Sequence, residues 1–107
     1  MERTTEEWGR VAVSLPGWRW MRGMQTLPLP TPGVPDPDDP ATAGCLLALL
    51  GPRAHMHSPN CDWEETDYWE LVIRLPDNSD RHVYGDTLGR ACIAGAEALG
   101  RWPGGAA

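Results

Sequence analysis

The sequence has no phenylalanine and no lysine, and its nine basic residues are all arginines. Fifteen acidic residues give the 107-residue chain a formal net charge of -6. Proteins that bind a phosphate backbone usually present a positive surface, so this balance disfavours nucleic acid as a partner. The length is that of one small domain, and we expect a single unit over residues 1–107.

Cysteine is scarce as well, and the spacing of Cys45, Cys61 and Cys92 does not suggest a disulfide framework. We therefore expect a reducing environment. No apolar run reaches the roughly 20 residues that a membrane-spanning helix needs, and the first residues lack the apolar segment of a signal peptide. These absences predict a cytoplasmic protein that does not enter a membrane.

One stretch without charge stands out between Asp39 and Arg53. Asp39 suits the N-cap of a helix, Pro40 suits its first position, and Gly51 suits its end. The sequence therefore predicts a helix over 40–50 that is apolar on every side. Such a helix packs inside a core or against another chain.

The remaining pattern predicts two more helices and several short strands. Thr4 and Glu7 have the spacing of a capping box before a helix over 5–14, and Thr87 precedes a helix over 87–99 that ends at Gly100. Alternating apolar residues predict strands over 18–22, 68–75 and 81–84. We expect an α+β fold, in which a small antiparallel sheet of three or four strands packs with three helices.

Three segments are expected to lie outside this framework. Residues 28–40 hold six prolines and three aspartates, which predicts a surface loop with partial polyproline II character. Residues 53–61 have the composition of a polar, turn-rich connection. Residues 103–107 are expected to form a flexible tail.

Three strings resemble a group of small uncharacterised proteins encoded by bacteriophages and prophages. They are Leu15 to Met21 (LPGWRWM), Asp39 to Leu50 (DPATAGCLLALL) and Gly85 to Ala94 (GDTLGRACIA). The present sequence has Arg22 where that group would have proline. The resemblance implies a phage accessory protein, acting in the host cytoplasm, and it implies no activity.

A small-ligand or nucleotide-binding site is one hypothesis for function. Arginine and aromatic side chains on strands can bind a nucleotide by charge and stacking. The candidates are Arg19, Trp20, Arg74 and Tyr84.

A zinc site is a second hypothesis, although we expect no cofactor. His55 and His57 form a His-x-His pair, and Cys61 follows four residues later as a third possible ligand. His82 could supply a fourth. The spacing permits a metal ion without specifying one.

Self-association is the function that we favour from the sequence. A small domain has difficulty burying both an apolar helix and six tryptophans, so a second copy or a host protein is the expected partner. An acidic inhibitor of a host nucleic-acid-binding protein is a further alternative. No motif combines a nucleophile, a base and an orienting group, so we expect no enzyme. The candidate interface residues are Leu46, Leu47, Leu50, Trp63 and Trp69.

Overall fold

The computed structural model of the chain describes residues 3–28, 33–51, 54–57 and 69–105, with the backbone alone for 54–57. It contains three helices, α1 (Thr5–Ser14), α2 (Pro40–Leu50) and α3 (Leu88–Leu99). Each begins at a side-chain cap that accepts a hydrogen bond from a backbone N–H of the first turn. All three predicted helices are therefore confirmed, because the signals that define their ends are local.

An antiparallel sheet contains β1 (Ala54–His57), β2 (Trp69–Arg74) and β3 (Asp80–Gly85), in the spatial order β1-β2-β3. A tight turn in which Asn78 has a φ of 67° joins β2 to β3, and the two antiparallel strands form a hairpin. Together with the helices, this sheet makes the chain an α+β protein. The backbone of β1 is a strand where the sequence predicted a turn-rich connection, so that prediction is wrong at residues 54–57.

The predicted strand over 18–22 is also wrong. The backbone of this segment makes turn-type hydrogen bonds, from the N–H of Trp18 to the carbonyl of Leu15 (3.4 Å) and from that of Met24 to the carbonyl of Met21 (3.2 Å). Its alternating tryptophans pack against other aromatic rings and do not line a sheet face. The alternating sequence pattern is the same whether Trp18 and Trp20 line the face of a sheet or pack against other aromatic rings.

The core lies between one face of the sheet and the helices. Leu71 and Ile73 of β2 are fully buried, and Val83 of β3 is nearly so. Helix α3 packs against both β2 and β3 on this side, and α2 packs against α3. The largest fully buried side chains from the helices and the C-terminal region are Leu46, Leu49, Leu50, Ile93 and Trp102.

Three residues in the described part of the proline-rich segment are buried, which differs from the surface loop that the sequence predicted. Val34 is 5% exposed, and the side chains of Pro35 and Pro37 are fully buried, whereas Gly33, Asp38 and Pro40 are exposed. The backbone of Pro35 lies against Gly9 of α1, and that of Pro37 lies against Gly89 of α3. The two prolines come this close because each helix has a glycine where a side chain would collide with the segment.

Part of the predicted tail has regular secondary structure. Pro103–Gly105 forms a short 3-10 helix that packs against the end of α2. Gly104 lies so close to the carbonyls of Ala48 and Leu49 that a β-carbon would overlap them. In the described segments, no helix has both the length and the apolar character needed to cross a membrane.

Candidate functional site

Three tryptophans in successive edge-on contact connect the core to the surface. The ring of Trp20 is 48% exposed and stands edge-on to Trp18, with centroids 5.4 Å apart and planes at 84°. Trp18 contacts Trp102 in turn, with centroids 5.9 Å apart and planes at 60°. Because Trp102 is fully buried, the exposed ring is held in place by two successive aromatic contacts.

Trp102 is fixed by hydrogen bonds to the C-terminal end of α1. Its indole Nε1 donates to the carbonyl of Ala12 (2.9 Å), and its backbone N–H donates to the carbonyl of Pro16 (2.8 Å). In a continuing helix, residue 16 would donate to Ala12, but proline has no N–H to give. Trp102 therefore supplies the donor that the sequence of α1 lacks.

The segment that follows Trp20 runs beside α2. The thiol of Cys45 contacts the carbonyl of Arg22 (3.6 Å), and the N–H of Gln25 donates to the hydroxyl of Thr42 (2.7 Å). The side of α2 next to these contacts exposes the small residues Ala41, Gly44 and Ala48. We refer to Trp20, Ala41, Gly44 and Ala48 as the Trp20/α2 surface.

Only part of the predicted interface is accessible. Leu46 and Leu50 are 0% exposed because they pack into the core of their own chain, so their assignment to an interface is wrong. Leu47 and Trp69 are half-buried. Trp63 lies outside the described residues.

The predicted nucleotide-binding residues lie on separate elements. Arg19 and Trp20 lie in the exposed segment after α1, whereas Arg74 and Tyr84 lie on the sheet. Arg74 donates from Nε to Oδ1 of Asp80 (2.7 Å). Tyr84 stands opposite Glu70, four positions from Arg74 along β2, which corresponds to about 13 Å. Arg74 and Tyr84 are therefore not neighbours on the sheet, and Arg19 and Trp20 lie on a different segment of the chain.

For the predicted zinc ligands, the structure describes only the backbone of His55 and His57, and Cys61 lies outside the described residues. Where side chains are described, no group of three or more histidine, cysteine or acidic residues is placed to hold a metal ion. His82 lies on β3, and its Nδ1 is 3.0 Å from Oε2 of Glu70.

A partly exposed ionic cluster, which the sequence did not reveal, joins the segment before α2 to α1 and α3. The carboxylate of Asp38 accepts hydrogen bonds from Thr5 (3.2 Å), Thr87 (2.8 Å) and the guanidinium of Arg90 (3.0 Å from both Nε and Nη2). Partial burial raises the pKa of Asp38, but the hydrogen bonds from Arg90, Thr87 and Thr5 outweigh it and hold the pKa below its ordinary value. No short-range pattern connects Asp38 with Arg90, since 52 residues separate them.

A shallow pocket of about 340 Å³ opens beside this cluster, where the N-terminal ends of α2 and α3 meet. Its wall is mostly apolar, and the half-buried ring of Trp69 forms part of it. The carboxylate of Asp38 is already bound by four donors, so it offers little to a ligand. The remaining lining residues are Pro37, Pro40, Ala43, Thr87, Leu88 and Gly89.

The described cysteines do not suggest a nucleophile. Burial raises the pKa of the Cys92 thiol to about 12, and its side chain is completely inaccessible. Cys45 is half-buried, and its thiol contacts the carbonyl of Arg22 and not a histidine that could act as a base.

Comparisons with protein-family models, with curated proteins and with solved structures found no match for this chain.

Proposed function

We propose that this chain is a non-enzymatic interaction protein of the phage accessory type, which acts in the cytoplasm and self-associates through the Trp20/α2 surface. The observation that carries the proposal is the half-exposed ring of Trp20, which Trp18 holds edge-on above the buried Trp102. An aromatic side chain that is already immobilised loses little conformational entropy when it binds, which favours its use at an interface.

We propose that the partner at this surface is a second copy of the chain, mainly because of how charge is distributed on the protein. Two copies with a net charge of -6 repel each other wherever their acidic residues meet. Helix α2 contains no Asp, Glu, Lys, Arg or His, so this face lets two copies approach without that repulsion.

The shape of α2 supports the same partner. Ala41, Gly44 and Ala48 are exposed and small, and a β-carbon added at Gly44 would meet no atom within 4 Å. Small side chains let the backbone of another helix come close. A symmetric contact of this kind would use the same patch on both copies.

Phage origin rests on the three strings in the sequence. In the structure these strings contain the Trp18–Trp20 pair, all of α2 with its Asp39 cap, and the first half of α3 with its Thr87 cap. They therefore coincide with the proposed surface and with the packing that supports it.

The proposal is tested by sedimentation velocity over a range of chain concentrations, with untagged protein. Two variants target the surface: Trp20→Ala removes the exposed ring, and Gly44→Glu adds a charge to the exposed side of α2. Each has a matched control of similar exposure elsewhere, Tyr84→Ala for the aromatic (50% exposed) and Ser14→Glu at the end of α1.

We expect the wild-type chain and both controls to form an oligomer, and both surface variants to sediment as monomers that circular dichroism shows to be folded. A wild-type chain that stays monomeric at all concentrations would overturn the proposal. In that case, thermal-shift measurements with nucleotides would test the alternative small-ligand function, for which Arg19 and Trp20 are the adjacent candidates. An oligomer that survives both Trp20→Ala and Gly44→Glu would show that another surface is used.

A further inference from the structure

The pocket of about 340 Å³ where α2 and α3 meet has the size of a site for a small ligand. Its volume lies at the lower end of the range of about 300–1,000 Å³ that small-molecule pockets occupy. The wall is mostly apolar and contains Pro37, Pro40, Leu88 and the half-buried ring of Trp69. A ligand that fills this pocket must therefore present an apolar surface.

The carboxylate and the hydroxyl in the pocket wall already have hydrogen-bond partners. Asp38 accepts from Thr5, Thr87 and Arg90. Thr87 donates to Asp38 (2.8 Å) and accepts from the backbone N–H of Arg90 (3.2 Å). A ligand with several N–H or O–H groups would lose its hydrogen bonds to water here without replacing them, which costs free energy. The pocket therefore favours a ligand that needs few hydrogen bonds.

The charge around the pocket is negative. Asp36, Asp38 and Asp39 lie in the segment that leads into α2, and Asp86 lies just before α3. Arg90 pairs with Asp38 (3.0 Å) and with Asp86 (3.8 Å), so four negative charges and one positive charge leave a net charge of -3. The two helix N-termini add a partial positive charge of roughly +0.5 each, which does not cancel it. The surroundings therefore favour a cation over an anion.

Trp69 provides a surface on which such a cation can bind. The face of an indole ring attracts a cation that lies within about 6 Å of its centre, and the attraction is stronger where water is excluded. A quaternary ammonium ion is positively charged, carries no N–H and is covered by apolar alkyl groups. It therefore suits the apolar wall, the occupied hydrogen-bonding groups and the negative charge together.

We propose that the pocket between α2, β2 and α3 binds the quaternary ammonium group of a small molecule such as choline, against the ring of Trp69. The same negative charge disfavours a ligand that carries a phosphate beside the ammonium group, as phosphocholine and phosphatidylcholine head groups do. The site is independent of the proposed self-association, because it shares no residue with the Trp20/α2 surface.

The test is isothermal titration calorimetry of choline into the untagged full-length chain. We expect one choline to bind per chain. Dimethylbutanol, the analogue of choline in which carbon replaces the nitrogen, has the same shape without the charge and should bind at least about tenfold more weakly. Phosphocholine should also bind at least about tenfold more weakly. In NMR spectra, choline should shift the indole N–H signal of Trp69 and leave that of Trp20 unchanged.

Two variants of the pocket have matched controls elsewhere. Trp69→Leu keeps an apolar side chain without the ring and should weaken choline binding at least about tenfold, whereas Trp20→Ala should bind like the wild type. Asp86→Asn should weaken binding about two- to threefold. Its control is Asp80→Asn, which also removes a carboxylate paired with an arginine, but about 17 Å along β3 from the position opposite Trp69. Circular dichroism verifies folding, and Trp69→Met replaces Trp69→Leu if the latter does not fold.

The proposal is wrong if choline does not bind, or if dimethylbutanol binds equally well. It is also wrong if Trp69→Leu binds choline as tightly as Trp20→Ala does. Equal or tighter binding of phosphocholine would overturn it as well, because the ligand would then be a phosphate-bearing head group. Since Trp20→Ala targets self-association, its choline binding also separates a failure of this proposal from a failure of the proposed function.

Discussion

Arg90 and Asp38 form a two-pronged ion pair, in which Nε donates to Oδ1 and Nη2 donates to Oδ2, both at 3.0 Å. The side chain of Arg90 is 17% exposed and that of Asp38 is 32% exposed. Nη2 also donates to the hydroxyl of Thr5 at the start of α1 (2.9 Å). A pair with two parallel hydrogen bonds fixes geometry as well as charge, so it holds the proline-rich segment against α1 and α3.

The substitution Asp38→Asn should lower the free energy of unfolding by about 2 kcal/mol, because it leaves the guanidinium of Arg90 partly buried without its main counter-charge. Urea unfolding followed by tryptophan fluorescence measures this. Arg10→Gln is the control: it removes the exposed pair with Glu6 and should cost about 0.5 kcal/mol or less. Equal losses in the two variants would show that the Asp38 pair contributes no more than a surface contact.

The same carboxylate predicts a pH dependence. The pKa of Asp38 is lower in the folded chain than in the unfolded one, so its contribution to stability is fully present above about pH 4. That contribution is lost as the pH falls from there through the folded pKa. The difference in unfolding free energy between wild type and Asp38→Asn should therefore be full at pH 7 and shrink below about pH 4. Comparing the two proteins cancels the other carboxylates, and a difference that is the same at pH 7 and pH 3 would contradict the assignment.

The helices could be predicted from the sequence because their boundaries are set by neighbouring residues. Thr4 and Glu7 cap each other, Asp39 accepts from the N–H of Thr42, and Gly100 takes the left-handed conformation after α3. Each of these contacts joins residues only three or four positions apart or depends on one backbone angle. They therefore leave a readable signal in a short window of sequence.

The parts that could not be predicted depend on pairs of residues far apart in the chain. The burial of Pro37 depends on Gly89, and the alignment of His55 and His82 across β2 depends on a sheet register that no local pattern specifies. Gly89 lies against the backbone of Pro37, whereas Gly95 faces the side chains of Ile73 and Leu50.

Gly89 gives a sharp test of how the proline-rich segment is held. In Gly89→Ala the new β-carbon would overlap the carbonyl of Pro37, and the resulting shift should lower the unfolding free energy by about 1–3 kcal/mol. Gly44→Ala is the matched control within a helix, because its β-carbon meets no atom. At concentrations where the chain is monomeric, this control should raise stability by about 1 kcal/mol through helix propensity. If Gly89→Ala also stabilised the chain, the packing of Pro37 on α3 would be wrong.

Trp102 links the stability of the fold to the proposed interface. Trp102→Ala should cost about 3–5 kcal/mol, because it removes a fully buried indole and the donor to Ala12. Trp102→Phe keeps a ring but leaves that carbonyl without its donor, so a smaller loss of about 1–3 kcal/mol is expected in urea unfolding.

The same two variants distinguish the loss of core packing from the loss of the ring that positions Trp18 and Trp20. Trp18 rests on the ring of Trp102, so an aromatic replacement should preserve self-association under conditions where the chain is folded. Trp102→Ala should weaken self-association even where circular dichroism shows a folded chain, since Trp18 and Trp20 lose the surface that immobilises them. A folded Trp102→Ala chain that sediments as the wild-type oligomer does would contradict this. Self-association would then not depend on the ring contacts that run from Trp102 through Trp18 to Trp20.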